Sequence, residues 1–262
     1  MQYMQSGIWL EEPEPDNPFA ARAAYCHGYD VYGEMIGRAR WSDMIHLLFR
    51  GEAPSPSASA ALDILAVALA NPGPREPSVH AAMCGGVGGS VAASSLMAAL
   101  AVGAGSLGGA REVALTMIAW RACGQDLDAW KARWESPPPE AASVWPSAAH
   151  PVGFDPHGVS TSTPVRQTLA RLAALDASSR SAWLFDHLPE IERAVGHPLA
   201  LTGVAAAALA DLGFSPEGGE MLFLLLRLPG AAAHALEQAG FGHKRFPWFE
   251  IDLEANPESQ AR

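Results

Sequence analysis

Charge is what this sequence has least of. Only 17% of its 262 residues are Asp, Glu, Lys or Arg, and 28 acids against 17 bases leave a formal charge of −11. No Lys/Arg cluster interrupts that acidic balance, which argues against a nucleic-acid backbone as partner. Cysteine is nearly as scarce. Cys26, Cys84 and Cys123 are odd in number, far apart and form no CxxC pair, so neither a disulfide framework nor a zinc knuckle is indicated. The opening stretch MQYMQSGIWLEEPEPD lacks a basic segment followed by an apolar one, so no secretory signal is expected and a cytoplasmic location is. Alternating polar and apolar runs long enough for a sheet are missing as well, and the expected class is all-α. With 49% hydrophobic residues the chain is not of the disordered type. A monomer of this length would need more charge to cover its surface, so the composition points to an oligomer.

What is present is mostly helical period. Trp41, Met44, Ile45, Leu48 and Phe49 define one apolar face behind a start near Ser42, and Gly51 ends it. Residues 57–70 favour helix until Asn71-Pro72-Gly73-Pro74 stops them. Residues 81–110 contain no charged side chain, yet Gly, Ala and Ser dominate, so a core helix wrapped by others is expected rather than a membrane span. Gly85-Gly86 and Gly88-Gly89 break that stretch before a helix from about Ser90; with no strand before them and no Lys-Ser/Thr after, they suit close helix packing better than phosphate binding. Residues 111–134 read as one long helix. In Gly213-Phe214-Ser215-Pro216-Glu217 a left-handed cap, an N-cap hydroxyl, a first-turn proline and an acid follow in order. Two apolar helices follow, split near Leu228-Pro229-Gly230. Between them all, residues 136–164 are too rich in Pro, Gly, Ser and His for a helix, and a loop of that length carrying His150, Asp155 and His157 reads as functional.

The order of segments resembles the citrate synthase family, including its shorter citryl-CoA lyase branch. The resemblance rests on Gly28-Tyr29-Asp30 followed by Trp41-Ser42-Asp43-Met44 through Pro54-Ser55; on Ser106-Leu107-Gly108-Gly109-Ala110, similar to the family's "HGGA"; on His150-Pro151-Val152-Gly153-Phe154-Asp155-Pro156-His157, similar to "GHP…DPR"; and on Leu222 through Gln238, similar to the "R-pG-x-AH-x-Eq" helix pair. It covers nearly the whole chain. It implies a large helical domain (1–110 plus 199–262) with a smaller one inserted (111–198), a homodimer, and carbon–carbon bond making or breaking at an acyl-CoA thioester. The partners implied are a coenzyme A thioester and an oxaloacetate- or citrate-type carboxylate, with no covalently bound cofactor, metal, nucleic acid or membrane.

Two family catalytic positions are substituted in this reading. Leu107 stands where an enol-stabilising histidine is expected, and an isobutyl group donates no hydrogen bond. In Pro198-Leu199-Ala200-Leu201-Thr202-Gly203-Val204, Thr202 stands where a carboxylate base is expected, and its hydroxyl is no base near neutral pH. Losing a placed donor costs about 10²–10³ in rate and losing the base about 10²–10⁴ more. By the resemblance His150 keeps the carbonyl-facing role and Asp155 is a candidate relocated base. Arg227 matches an arginine that holds a substrate carboxylate, and Lys244 or Arg245 a late arginine reaching across the dimer. His157 replaces the arginine of "DPR" at the phosphate or CoA contact.

The residues also admit plainer roles. Arg227 lies among leucines and must have an anionic partner, either substrate or a protein acid. His234 and His46 sit on apolar helix faces and read as satisfied core histidines, while His80, His187 and His197 carry no signal. The His150, Asp155, His157 spacing matches no helical metal pair. Trp130 and Trp134 at i, i+4 read as core. A non-catalytic subunit pairing with an active paralogue is the alternative function, and a hydrolase or lyase using His150 with Asp155 is a third.

Overall fold

A computed structural model describes residues 6–135, 150–246 and 248. Among these residues there are ten α-helices, confirming the all-α class, with one addition near the start. There β1 (Trp9–Pro13), β2 (Ala21–Cys26) and β3 (Tyr29–Asp30) pair antiparallel in that order, joined at His27-Gly28, where both residues have positive φ. The sequence reading missed this sheet because its strands are two to six residues long. Only β2, with Ala24 and Cys26 buried, alternates, and over too few residues to register.

The helices are α1 (Trp41–Arg50), α2 (Pro56–Leu69), α3 (Pro77–Val87), α4 (Ala92–Gly103), α5 (Ala110–Cys123), α6 (Leu127–Glu135), α7 (Thr163–Ala173), α8 (Arg180–Val195), α9 (Leu201–Asp211) and α10 (Pro216–Phe241). Helix α10 lies along α3 and α5, α5 packs on α9, and α7 on α8. The main apolar core joins α1, α2 and α5–α10, and a smaller one joins α3, α4, α10 and Phe246.

The stretch 81–110 breaks at Gly88-Gly89, as its glycines led one to expect, with α3 before the turn and α4 from Ala92 after it, while Gly85-Gly86 stay inside α3. Small residues serve close approach on one side only. A Cβ at Gly86 would run into the Ala235 carbonyl, and one at Gly85 would meet Ser95. The other side of α4 leaves Val91, Met97 and Val102 exposed. The helix buried all round is instead α9, where Thr202 through Leu209 are all buried, whereas α5 keeps Arg111, Ile118 and Arg121 exposed.

Two helix boundaries and one helix face differ from expectation. The helix over 111–134 is two, because Gly124, at φ +54, ends α5 and Asp126 then caps α6, accepting from the Asp128 and Ala129 amides. The pair split at Pro229-Gly230 is one helix of 26 residues. Proline removes a single amide there, and the Gly230 N–H is diverted to the Ala70 carbonyl at 2.7 Å, so the helix continues past its own interruption. On α1 the buried face is Ser42, Ile45, His46 and Leu47, while Trp41 and Phe49 are exposed. The stop at Gly51 and the start at Ser215-Pro216 fall where the sequence placed them; Ser215 accepts from the Gly218 amide at 3.0 Å.

Candidate active site

The His150 segment crosses the N-terminus of α9. Gly153, at φ +88, lies against Gly203 so closely that a Cβ on either would strike the other's backbone. Phe154 pairs with Leu199 as an isolated bridge, the Asp155 amide donates to the Pro198 carbonyl at 2.8 Å, and the Ala200 amide to the Gly153 carbonyl at 3.0 Å. Thr161, buried, accepts from the Leu199 amide at 2.8 Å and donates to Glu192. The segment is therefore part of the packed body.

Beneath it stands Glu112 of α5, 1% exposed. One carboxylate oxygen accepts the Gly153 amide at 2.7 Å and the other the Gly108 amide at 2.6 Å. A single buried carboxylate thus ties the His150 segment to the Leu107-Gly108-Gly109 corner. Burial pushes its pKa up; the Gly153 and Gly108 amides and the nearby Thr202 hydroxyl pull it down, and the charge on Asp155 pushes it up again. Thr202 itself is 4% exposed and its hydroxyl makes no well-formed hydrogen bond. Sequence reasoning missed Glu112. Its signal was the lone acid of α5, one turn after the corner.

Around His150 the structure gathers Asp155, His157 and His197. The rings of His150 and His197 meet edge to face, centroids 6.2 Å apart. Burial, then the charges of His197 and His157, lower the His150 pKa below its ordinary 6.5, against an opposing pull from Asp155. Asp155 also accepts the His157 amide at 2.9 Å. His197, which carried no sequence signal, is thus a neighbour of the site. Among the described residues no three His, Cys, Asp or Glu side chains are placed to share a metal ion. Residues 136–149 of the predicted functional loop lie outside the described residues.

Arg227, 6% exposed on α10, reaches the same corner from the other side. Its Nη1 lies 3.5 Å from the Gly108 carbonyl oxygen, its Nη2 pairs with Glu76 at 2.5 Å, and its guanidinium stacks over Phe223 at 4.8 Å. The anionic partner demanded by its burial is therefore a protein acid. Leu107 is 67% exposed, pointing away from the packed body. Lys244, Arg245 and His157 are exposed, with Arg245 over Phe241 at 5.8 Å. His46 is a core histidine bonded to the Glu52 carbonyl, His234 reaches Asn71 and Glu237, and Trp130 packs with Trp120 and Trp134.

This arrangement, a helical body with its histidine-bearing segment laid over a glycine corner, has the citrate synthase-like fold of citryl-CoA lyases. The chain superimposes on citryl-CoA lyase from Hydrogenobacter thermophilus with a TM-score of 0.70 and 20% identity, over 100% of both chains. It also matches ATP citrate lyase from Methanothrix soehngenii in complex with citrate and coenzyme A, at a TM-score of 0.72 and 17% identity. That match takes in all of this chain and 43% of the other. A mutant Methanosaeta concilii ATP citrate lyase in complex with (3S)-citryl-CoA gives 0.70 and 16%, over 44% of its length. No protein-family model and no curated protein matches the sequence. Among the described residues no helix is long and apolar enough to cross a membrane.

Proposed function

We propose that the chain binds a coenzyme A thioester and a carboxylate-bearing substrate beside His150, and makes or breaks a carbon–carbon bond there with altered or reduced activity. The observation that carries this reading is Glu112. By bonding both Gly153 and Gly108 it keeps together the two segments that, by resemblance, face the substrate carbonyl and the thioester. His150 is the group that meets the carbonyl. With its pKa below 6.5 it is neutral near pH 7 and can donate one N–H while its other nitrogen accepts. Asp155, whose charge reaches both His150 and Glu112, is the carboxylate available to take a proton. Lys244 and Arg245 are exposed cations suited to the phosphates of the coenzyme, and the exposed His157 can add a hydrogen bond to them. Residues 111–198 form the smaller of two helical units, and a second copy of the chain completes a homodimer.

Isothermal titration with acetyl-CoA, oxaloacetate and citrate tests the reading. Heat with the coenzyme and at least one acid is expected, and no heat with any would overturn it. A second reading, a non-catalytic subunit beside an active paralogue, is favoured by Leu107 and Thr202: one points into solvent and the other is buried without a base's chemistry. Co-expression with such a paralogue and native mass spectrometry separates the two.

A further inference from the structure

Glu76 does two things at once. One oxygen caps the N-terminus of α3, accepting from the Ser78 amide at 2.9 Å, the Val79 amide at 3.2 Å and the Ser78 hydroxyl. Its other oxygen holds Arg227 Nη2 at 2.5 Å. With Nη2 on Glu76, Nη1 turned to the Gly108 carbonyl and its face on Phe223, the end-on fork of the guanidinium is already taken. A substrate carboxylate arriving there would meet a fixed negative charge within a few ångströms, in a setting that screens it poorly. Displacing Glu76 would also uncap α3.

We propose that Glu76 is a specificity-determining residue: the protein's own carboxylate fills the anion grip at Arg227, so the carboxylate-bearing substrate carries one free carboxylate fewer than citrate or oxaloacetate. This rests on the functional reading above and narrows its substrate class.

Pyruvate and oxaloacetate differ by one carboxylate and are the probes. Calorimetry in the presence of coenzyme A should show wild-type protein preferring pyruvate. In Glu76→Gln, which can still accept from the Ser78 amide, the ratio of the two Kd values should shift toward oxaloacetate by about tenfold, the worth of one charge-assisted hydrogen bond. Coenzyme A binding with an unchanged ratio overturns the role of Glu76 alone, and no binding of coenzyme or acid by any variant overturns the functional reading and the substrate assignment with it. A second variant keeps the anion grip testable in either case. Glu76→Ala strands the guanidinium and should lower Tm, and acetate should restore it in that variant while leaving wild type unmoved. If acetate restores nothing, there is no exchangeable anion position at Arg227.

Discussion

At the scale of single residues the candidate site turns on two titrating groups with opposite signs. Burial raises the Glu112 pKa above its ordinary 4.5, so the folded state keeps that proton to higher pH than the unfolded one. Its contribution to stability is full below 4.5 and is lost as pH climbs through the raised value. Glu112→Gln should abolish that slope in urea titrations between pH 4 and 8. Its amide can serve only one of the two backbone donors, so the variant should also be less stable than wild type near pH 7 by about 1–3 kcal/mol. His150 behaves in the reverse sense. Its pKa is lowered, so stability from keeping it neutral is present above 6.5 and is lost as pH falls through the lowered value. Since His197 is among the causes, His197→Asn should move the His150 midpoint upward, toward 6.5, in a proton NMR titration; a downward move would contradict the placement. None of this pairing could be read from sequence spacing. His150 and Asp155 stood out because they share a polar loop, whereas His197 and Glu112 reach the site from other elements. Arg227 was legible as a buried charge that needs an acid. Which acid depended on how α3 begins.

Among the elements, the glycines decide how closely helices approach, and α10 is the sharpest case. A proline at 229 inside a helix would ordinarily cost about 3 kcal/mol, and the split expected there follows from that rule taken alone. Packing overrides it. The Gly230 amide serves Ala70, and the absence of a Cβ lets the α2–α3 connection sit directly on the helix: an added Cβ would come 2.5 Å from the Ala70 oxygen and 2.8 Å from the Asn71 Cα. Backbone cannot yield as a flexible side chain does. Gly230→Ala should therefore cost about 3 kcal/mol or more, seen as a lowered midpoint in chemical denaturation. Gly240→Ala, on the same helix in open space, should be neutral or slightly stabilising. The caps at Gly51, Gly213 and Ser215 were legible because each is a local event between neighbours in sequence. The continuity of α10 and the burial of α9 were not, because both depend on which helix lies across them. The three-stranded sheet fell below the length at which alternation separates from chance.

For the whole molecule, scarcity of charge and the placement of exposed apolar side chains point the same way. Helix α4 has no charged residue at all, and Met97 and Val102 on it are 67% and 46% exposed. It packs against α10, where Met221 and Leu225, one turn apart, are 61% and 45% exposed, and the corner bearing Leu107 follows directly after α4. A surface of this kind on adjoining helices is unusual for a monomer and suits a self-complementary face between two copies. Sedimentation velocity should show wild-type protein as a dimer and Leu225→Glu as a monomer. Because Leu225 is not part of the buried core, the monomer should unfold within about 0.5 kcal/mol of the wild-type chain at matched low concentration. A wild-type monomer that dimerises only when co-expressed with a paralogue would favour the non-catalytic subunit instead. The same experiment bears on the site, since Leu107 immediately precedes Gly108. If two copies meet across this face, Leu225→Glu should weaken binding of acetyl-CoA along with assembly. A monomeric variant with unchanged affinity would mean that each chain holds its ligand alone.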